Sequence, residues 1–76
     1  MPGQPERIHV AFLGAGRMAT ALGKGLVSAK FTTAQSIVAS DPLAAAREAF
    51  SAETGARAIA SNAETVRGSN VVIVAV

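Results

Sequence analysis

A glycine-rich loop is the part of this sequence whose residue types and spacing best support chemistry. Gly14, Gly16 and Ala19 make the run Gly14-Ala15-Gly16-Arg17-Met18-Ala19 match the pattern G-x-G-x-x-[GA]. In that pattern the first glycine permits a sharp turn, the second lets a pyrophosphate approach the backbone, and the third small residue lets a helix lie close to a sheet. We therefore interpret the loop as a phosphate site for a dinucleotide. The alternative is a tight strand-to-helix turn in a fold that binds no dinucleotide.

A carboxylate stands where a group that contacts the adenosine ribose is expected. Asp41 lies 22 positions after Ala19, and in dinucleotide-binding folds an acidic residue about 20 residues past the glycines accepts hydrogen bonds from the ribose. Such a carboxylate would repel a 2′-phosphate and favour NAD. Asp41 also precedes Pro42, so a role as the N-cap of the next helix explains it equally well, and the two roles are compatible.

Two neighbours of Asp41 bear on the choice of cofactor. Ser40 is a candidate hydrogen-bond donor to the ribose or to a phosphate. Arg47 lies one to two helical turns further on, which is far for clamping a 2′-phosphate. The cofactor is therefore predicted as NAD or NADP, with the choice between them open.

Further candidates follow the third and fourth predicted strands. The amide of Asn62 is placed to face the adenine or ribose, or alternatively to cap a short helix. Ala75 and Val76 end the fourth strand beside the first, where a ligand that crosses the sheet crevice would touch them. Arg17, at the variable position of the loop, either contacts a phosphate or is solvated. His9, the sole histidine, lies inside the first predicted strand and is given a structural role.

Strands and helices alternate around these residues. Runs of β-formers predict strands over 8–13, 36–40, 57–60 and 71–76, while apolar residues at helical spacing and terminator signals predict helices over 16–29, 42–54 and 62–67. The second helix has Pro42 at its first position and ends at Gly55. Each connection is long enough to cross over a parallel sheet. Right-handed crossovers then give the strand order 3-2-1-4, half of a doubly wound α/β Rossmann fold.

Composition excludes several classes of function. The net charge is only +2, the seven Lys and Arg residues are scattered, and the three Phe residues are not grouped, so no nucleic-acid surface is predicted. The N-terminus is neither a signal peptide nor a membrane span, and the absence of cysteine fits a cytoplasmic protein. No carboxylate pair, set of metal ligands or nucleophile–base pair stands out, so no catalytic residue and no metal site are predicted.

The loop and the segments after it resemble pyrroline-5-carboxylate reductases. Residues 12–26 follow the opening pattern F-[IL]-G-x-G-x-M-A-x-A-[LI]-x-K-G of that family, and 37–42, 61–66 and 69–76 resemble its later strands and turns. The resemblance implies reduction of 1-pyrroline-5-carboxylate to L-proline by NAD(P)H. It also implies cofactor contacts at Leu13, Gly14, Ala15, Gly16, Arg17, Met18, Asp41, Asn62, Ala75 and Val76. Many members that prefer NADPH carry a small hydroxyl or amide residue where this chain has Asp41.

The domain organisation follows from the same resemblance. We expect a flexible leader over 1–6 and an incomplete NAD(P)-binding Rossmann domain over 7–76, with the family's C-terminal substrate and dimerisation domain absent. The last predicted strand would be a bare apolar edge, so we hypothesise a fragment or one piece of a split gene, homo-oligomeric at full length. A non-enzymatic NAD(P)-sensing module and a coenzyme F420-dependent NADP reductase are the alternative functions.

Overall fold

The structure, a computed structural model, describes residues 8–75. It contains four strands and three α-helices, and a single 3₁₀ turn over Ala34–Ser36 precedes the second strand. The strands are β1 (Val10–Leu13), β2 (Ile37–Ser40), β3 (Arg57–Ile59) and β4 (Val71–Val74), and the helices are α1 (Arg17–Ser28), α2 (Ala44–Thr54) and α3 (Asn62–Val66). The predicted leader over 1–6 and the candidate Val76 lie outside the described residues.

The four strands form one parallel sheet in the order β3-β2-β1-β4. The predicted α/β class and the strand order 3-2-1-4 are confirmed. The chain first steps from β1 through β2 to β3, and then returns to the other side of β1 as β4. The order therefore reverses between β1 and β4, and ligands bind at such a switch point in doubly wound folds.

Two phenylalanines fill the centre of the core between the sheet and the helices. Phe12 of β1 and Phe50 of α2 are both fully buried, and their rings meet edge to face with centroids 6.0 Å apart. Helix α1 approaches this cluster with its small residues, because Ala19 and Gly23 are its buried positions. The close approach predicted from the small residue at position 19 is thus observed.

Helix α2 begins two residues later than predicted. Its N-cap is Leu43, because the Asp41 side chain accepts a hydrogen bond from the Leu43 N–H at 3.0 Å and folds residues 41–43 into a separate turn. The prediction that Asp41 caps the helix with Pro42 at its first position is therefore wrong. The predicted end is confirmed, since Gly55 adopts a left-handed conformation with φ of 77°.

Helix α3 has Ser61 as its N-cap, so the capping alternative for Asn62 is also wrong. The Ser61 hydroxyl oxygen accepts a hydrogen bond from the Glu64 N–H at 3.2 Å. Asn62 is instead the first residue of the helix, and its side chain is available to neighbouring strands. This displacement by one residue decides what the amide contacts.

The outer strand β4 is hydrogen-bonded to β1 alone among the described strands. Three apolar side chains of this strand are exposed: Val71, Val72 and Val74. Within residues 8–75 we find no helix with the length and apolar character needed to span a membrane.

Candidate cofactor site

The candidate residues follow strand ends that lie side by side. Leu13 of β1 is in register with Ser40 of β2 and with Val74 of β4, and Ser40 is in register with Ile59 of β3. Because the strands are parallel, the segments after all four strands emerge at one edge of the sheet. This edge therefore brings together four features: the glycine loop, Asp41, the turn before α3, and Ala75. The strands predicted from the sequence place the same features at this edge.

The first glycine of the loop is required by the backbone. Gly14 has φ of 112°, a region that residues with a Cβ rarely adopt. Its N–H donates to the Ser40 carbonyl at 2.7 Å, so the turn starts while the chain is still paired with β2. The sharp turn predicted at this position is present.

The second glycine is not required by the protein itself. Gly16 has an ordinary extended conformation with φ of −82° and ψ of −161°, and a Cβ built on it would meet no atom within 4 Å. Neither backbone strain nor crowding by the described residues accounts for glycine here. The open space beside its Cα is what a closely approaching phosphate would need.

The N-terminus of α1 offers backbone donors to an anion. The first intrahelical bond runs from the Thr20 N–H to the Gly16 carbonyl at 3.0 Å, so the N–H groups of Arg17, Met18 and Ala19 precede the hydrogen-bonded ladder. Gly16 supplies no capping side chain, and the first turn contains no acidic residue. The positive end of the helix dipole is therefore uncompensated by a protein anion within that turn. Arg17 and Met18 are both exposed.

Asp41 ties the loop to the turn that follows β2. Its Oδ2 accepts a hydrogen bond from the Ala15 N–H at 3.0 Å, and its Oδ1 accepts one from the Leu43 N–H at 3.0 Å. These two backbone donors, with a smaller contribution from the nearby Arg47 cation, hold the pKa of the carboxyl below its usual value despite some desolvation. Asp41 is thus an ionised bridge between two backbone segments.

The side chain of Arg47 lies beside the end of β2, a contact that was not predicted from the sequence. Its Nη1 donates to the Asp41 carbonyl oxygen at 2.7 Å. Because α2 begins at Ala44, Arg47 lies in its first turn, and side chains on a helix slope back toward the N-terminus. The contact places the Arg47 guanidinium beside the end of β2, while the expectation that Arg47 is far for clamping a 2′-phosphate stays a prediction. An Asp side chain can bind the backbone N–H two residues on, as in the turn over 41–43. Recognising that turn in the sequence would have predicted the contact between Arg47 and the Asp41 carbonyl.

Ser40 and Asn62 form a side-chain pair at the same edge. Ser40 is 1% exposed, and its hydroxyl donates to Oδ1 of Asn62. That contact uses the carbonyl oxygen of the exposed Asn62 side chain, so the amide Nδ2 keeps its two N–H donors for another partner. The Ser40 hydroxyl proton, a candidate for the ligand, is used within the protein here.

The remaining candidates occupy the β1–β4 side of the edge. Leu13 is half-buried, and its carbonyl accepts a hydrogen bond from the Ala75 N–H at 2.9 Å. Ala75 is 9% exposed, so little of it faces outward.

His9 precedes β1 rather than lying within it, and its N–H donates to Oδ1 of Asn70 at 2.8 Å. Residues 8–75 contain no group of three or more His, Cys, Asp or Glu side chains that could hold a metal ion.

Comparison with known proteins agrees with this geometry. Residues 9–76 match the family described as NADP oxidoreductase, coenzyme F420-dependent. The chain belongs to this family. It is also 37% identical over 71 residues to a pyrroline-5-carboxylate reductase from Methanosarcina acetivorans, a match that covers 93% of this chain and 26% of that protein. The resemblance carried by the loop and the later segments is therefore confirmed, and the chain spans about a quarter of that relative's length.

The matching family is described as one of NADP oxidoreductases, and membership of it implies NAD(P) as the cofactor that this chain binds. The loop fits that cofactor, because a Cβ at Gly16 would occupy space that no atom of residues 8–75 fills. A bound nicotinamide dinucleotide supplies hydride chemistry. The described residues supply phosphate donors, a polar corner at the end of β2 and an amide after β3.

Proposed function

We propose that this chain is the cofactor-binding segment of a pyrroline-5-carboxylate reductase, which reduces 1-pyrroline-5-carboxylate to L-proline with NAD(P)H. The observation that supports a nucleotide role is the loop, where Gly16 leaves room that the fold does not use. The relative from Methanosarcina acetivorans supports the choice of reaction. We also propose that the protein is cytoplasmic and that the full-length enzyme is a homo-oligomer.

In this proposal the chain binds and orients the cofactor. The loop residues Leu13 to Met18 lie against the pyrophosphate, which accepts hydrogen bonds from the N–H groups that precede the α1 ladder, and the helix dipole of α1 adds attraction for its charge. Ser40, Asp41 and Asn62 surround the adenosine, while Ala75 and Val76 contact the ligand as it crosses toward β4. Catalytic and substrate-binding groups belong to the remainder of the enzyme.

A second candidate function is a coenzyme F420-dependent NADP reductase, and the description of the matching family favours it. Both reactions move a hydride from NADPH, but the acceptors differ: a cyclic imine in one case and a deazaflavin in the other. The protein encoded by the complete gene should therefore be assayed for NADPH oxidation with each acceptor. Turnover with 1-pyrroline-5-carboxylate and none with oxidised coenzyme F420 is the expected result.

Cofactor binding is tested on the chain itself. Nicotinamide fluorescence during titration with NADPH and with NADH should show saturable binding of at least one of them. If neither binds to folded protein, the loop is a strand-to-helix turn only and the proposed function is overturned. If a dinucleotide binds but the complete gene product reduces neither acceptor, the NAD(P)-sensing alternative gains support.

A further inference from the structure

A cavity lies at the edge of the sheet opposite to the candidate cofactor site. Its volume is about 440 Å³, and its lining includes His9 before β1, Ser36 before β2 and Arg57 at the start of β3. Because the strands are parallel, these residues share the amino edge of the sheet, whereas the glycine loop follows the carboxyl edge. At about 3.3 Å per strand residue, His9 and Gly14 are about 16 Å apart along β1. The cavity is therefore separate from the cofactor site.

The segment that leaves α3 forms one wall of this cavity. Helix α3 ends at Val66, and residues 67–69 lie against the cavity on the way to β4. The Glu64 carbonyl accepts a hydrogen bond from the Arg67 N–H at 3.3 Å. The Val66 carbonyl accepts one from the Ser69 N–H at 3.1 Å. The backbone thus satisfies these carbonyls at the helix end, and the Arg67 guanidinium is not needed to cap them.

The lining of the cavity is basic. Arg57 and Arg67 line it together with His9, and no Asp or Glu of residues 8–75 does so. The salt bridge found within that range joins Lys24 to Glu53, so neither arginine is paired with a described carboxylate. A cleft lined by charges of one sign focuses their field and concentrates ions of the opposite sign. The cavity therefore attracts an anion.

Ser36 adds a buried polar group to the same lining. The residue is 6% exposed, and its hydroxyl oxygen accepts a hydrogen bond from the Thr33 hydroxyl at 3.4 Å. A hydroxyl has one donor besides its acceptor lone pairs, so the Ser36 proton remains for an acceptor in the cavity. Two guanidinium forks and a hydroxyl donor match the three terminal oxygens of a phosphoryl group.

We propose that this cavity is a second ligand site, which binds the phosphate monoester of a small metabolite. Arg57 and Arg67 bind the phosphoryl oxygens, and the Ser36 hydroxyl donates a further hydrogen bond. A phosphoryl group fills only part of a cavity of about 440 Å³, which leaves room for the organic part of the ester, as in other small-molecule pockets. The inference goes beyond the proposed function, because it uses no residue of the glycine loop or of the corner after β2.

The test follows the amide resonances of the isotope-labelled chain during titration with ribose 5-phosphate and with inorganic phosphate. At constant ionic strength, ribose 5-phosphate should shift the cavity amides of Ser36, Gly68 and Ser69 in a saturable manner. Inorganic phosphate should shift the same amides and bind no more tightly than the ester. Sodium chloride over the same concentration range should not reproduce these shifts. The amides of Gly14 and Gly16 report any binding at the cofactor loop separately.

Variants of the two arginines show whether their side chains bind the ligand. Arg57→Gln and Arg67→Gln should each weaken ribose 5-phosphate binding at the cavity amides by about tenfold or more, because each removes charge-assisted hydrogen bonds. Arg67→Lys, which keeps the charge but loses the fork, should have an intermediate affinity. Both arginines are exposed, so the variants should remain folded, as urea unfolding will show.

The matched control is Lys30→Gln, which removes one positive charge from an exposed residue that follows α1 and does not line the cavity. Its affinity should stay within about twofold of that of the unmodified chain. No saturable shift at the cavity amides, equal shifts with chloride, or an equal loss in Lys30→Gln overturns the inference. Binding of inorganic phosphate without ribose 5-phosphate overturns the assignment to a phosphate monoester. Each of these results leaves the cofactor function intact, since NADPH binding at Gly14 and Gly16 tests that function.

Discussion

Replacing Gly16 by alanine separates the two interpretations of the glycine loop. The new Cβ meets nothing within 4 Å, and φ of −82° with ψ of −161° is ordinary extended backbone for alanine. Alanine is a poorer N-cap than glycine, which costs up to about 1 kcal/mol, while reduced freedom of the unfolded chain returns about 0.4–1 kcal/mol. The free energy of unfolding should therefore change by less than about 1 kcal/mol.

Binding should respond much more strongly than stability. A methyl carbon beside the Gly16 Cα prevents a phosphate oxygen from reaching hydrogen-bond distance of the loop backbone. Loss of one hydrogen bond to a charged group is worth about 1.5–3 kcal/mol, so NADPH affinity should fall by roughly tenfold to a hundredfold. Fluorescence titration measures this affinity, and urea unfolding followed by circular dichroism measures stability.

Gly14→Ala is the comparison variant, because it shows the loss of stability expected at a glycine that the backbone conformation requires. Because Gly14 has φ of 112°, alanine there should lower the free energy of unfolding by about 1–3 kcal/mol. If Gly16→Ala binds NADPH as tightly as the unmodified chain, the reasoning about a phosphate cradle is refuted. A loss of stability equal to that of Gly14→Ala would instead make Gly16 a residue of the turn.

Two further predictions concern the helices and the acid response. Gly25→Ala, at an exposed helical position with open space, should stabilise the fold by about 0.5–1 kcal/mol. Gly23→Ala should give no such gain in the same urea experiment, because its Cβ would lie 3.3 Å from Cγ2 of Thr54. Asp41 has a lowered pKa when folded, so its stabilising contribution is present above the unfolded pKa and lost as pH falls through the folded one. Asp41→Asn should flatten that acid-side slope, and an unchanged slope would contradict the bridge.

The sequence by itself determined the architecture and the position of the loop. Alternation of β-branched runs with helical spacing fixes the element types, and the connection lengths with right-handed crossovers leave the order 3-2-1-4. Small residues at Gly14, Gly16 and Ala19 mark the turn, the open backbone and the helix contact, because each requirement is local to one or two residues. Such local requirements can be read from residue types alone.

Only the tertiary structure decided what the polar residues around the loop do. Asp41 has equal local reasons to cap a helix or to face a ribose, and its actual partners, the N–H groups of Ala15 and Leu43, come from two different connections. Arg47 reaches the end of β2 because the turn over 41–43 delays α2 until Ala44. Side-chain partners across the sheet edge depend on strand register and helix start together, and a shift of two residues changes which side chains meet.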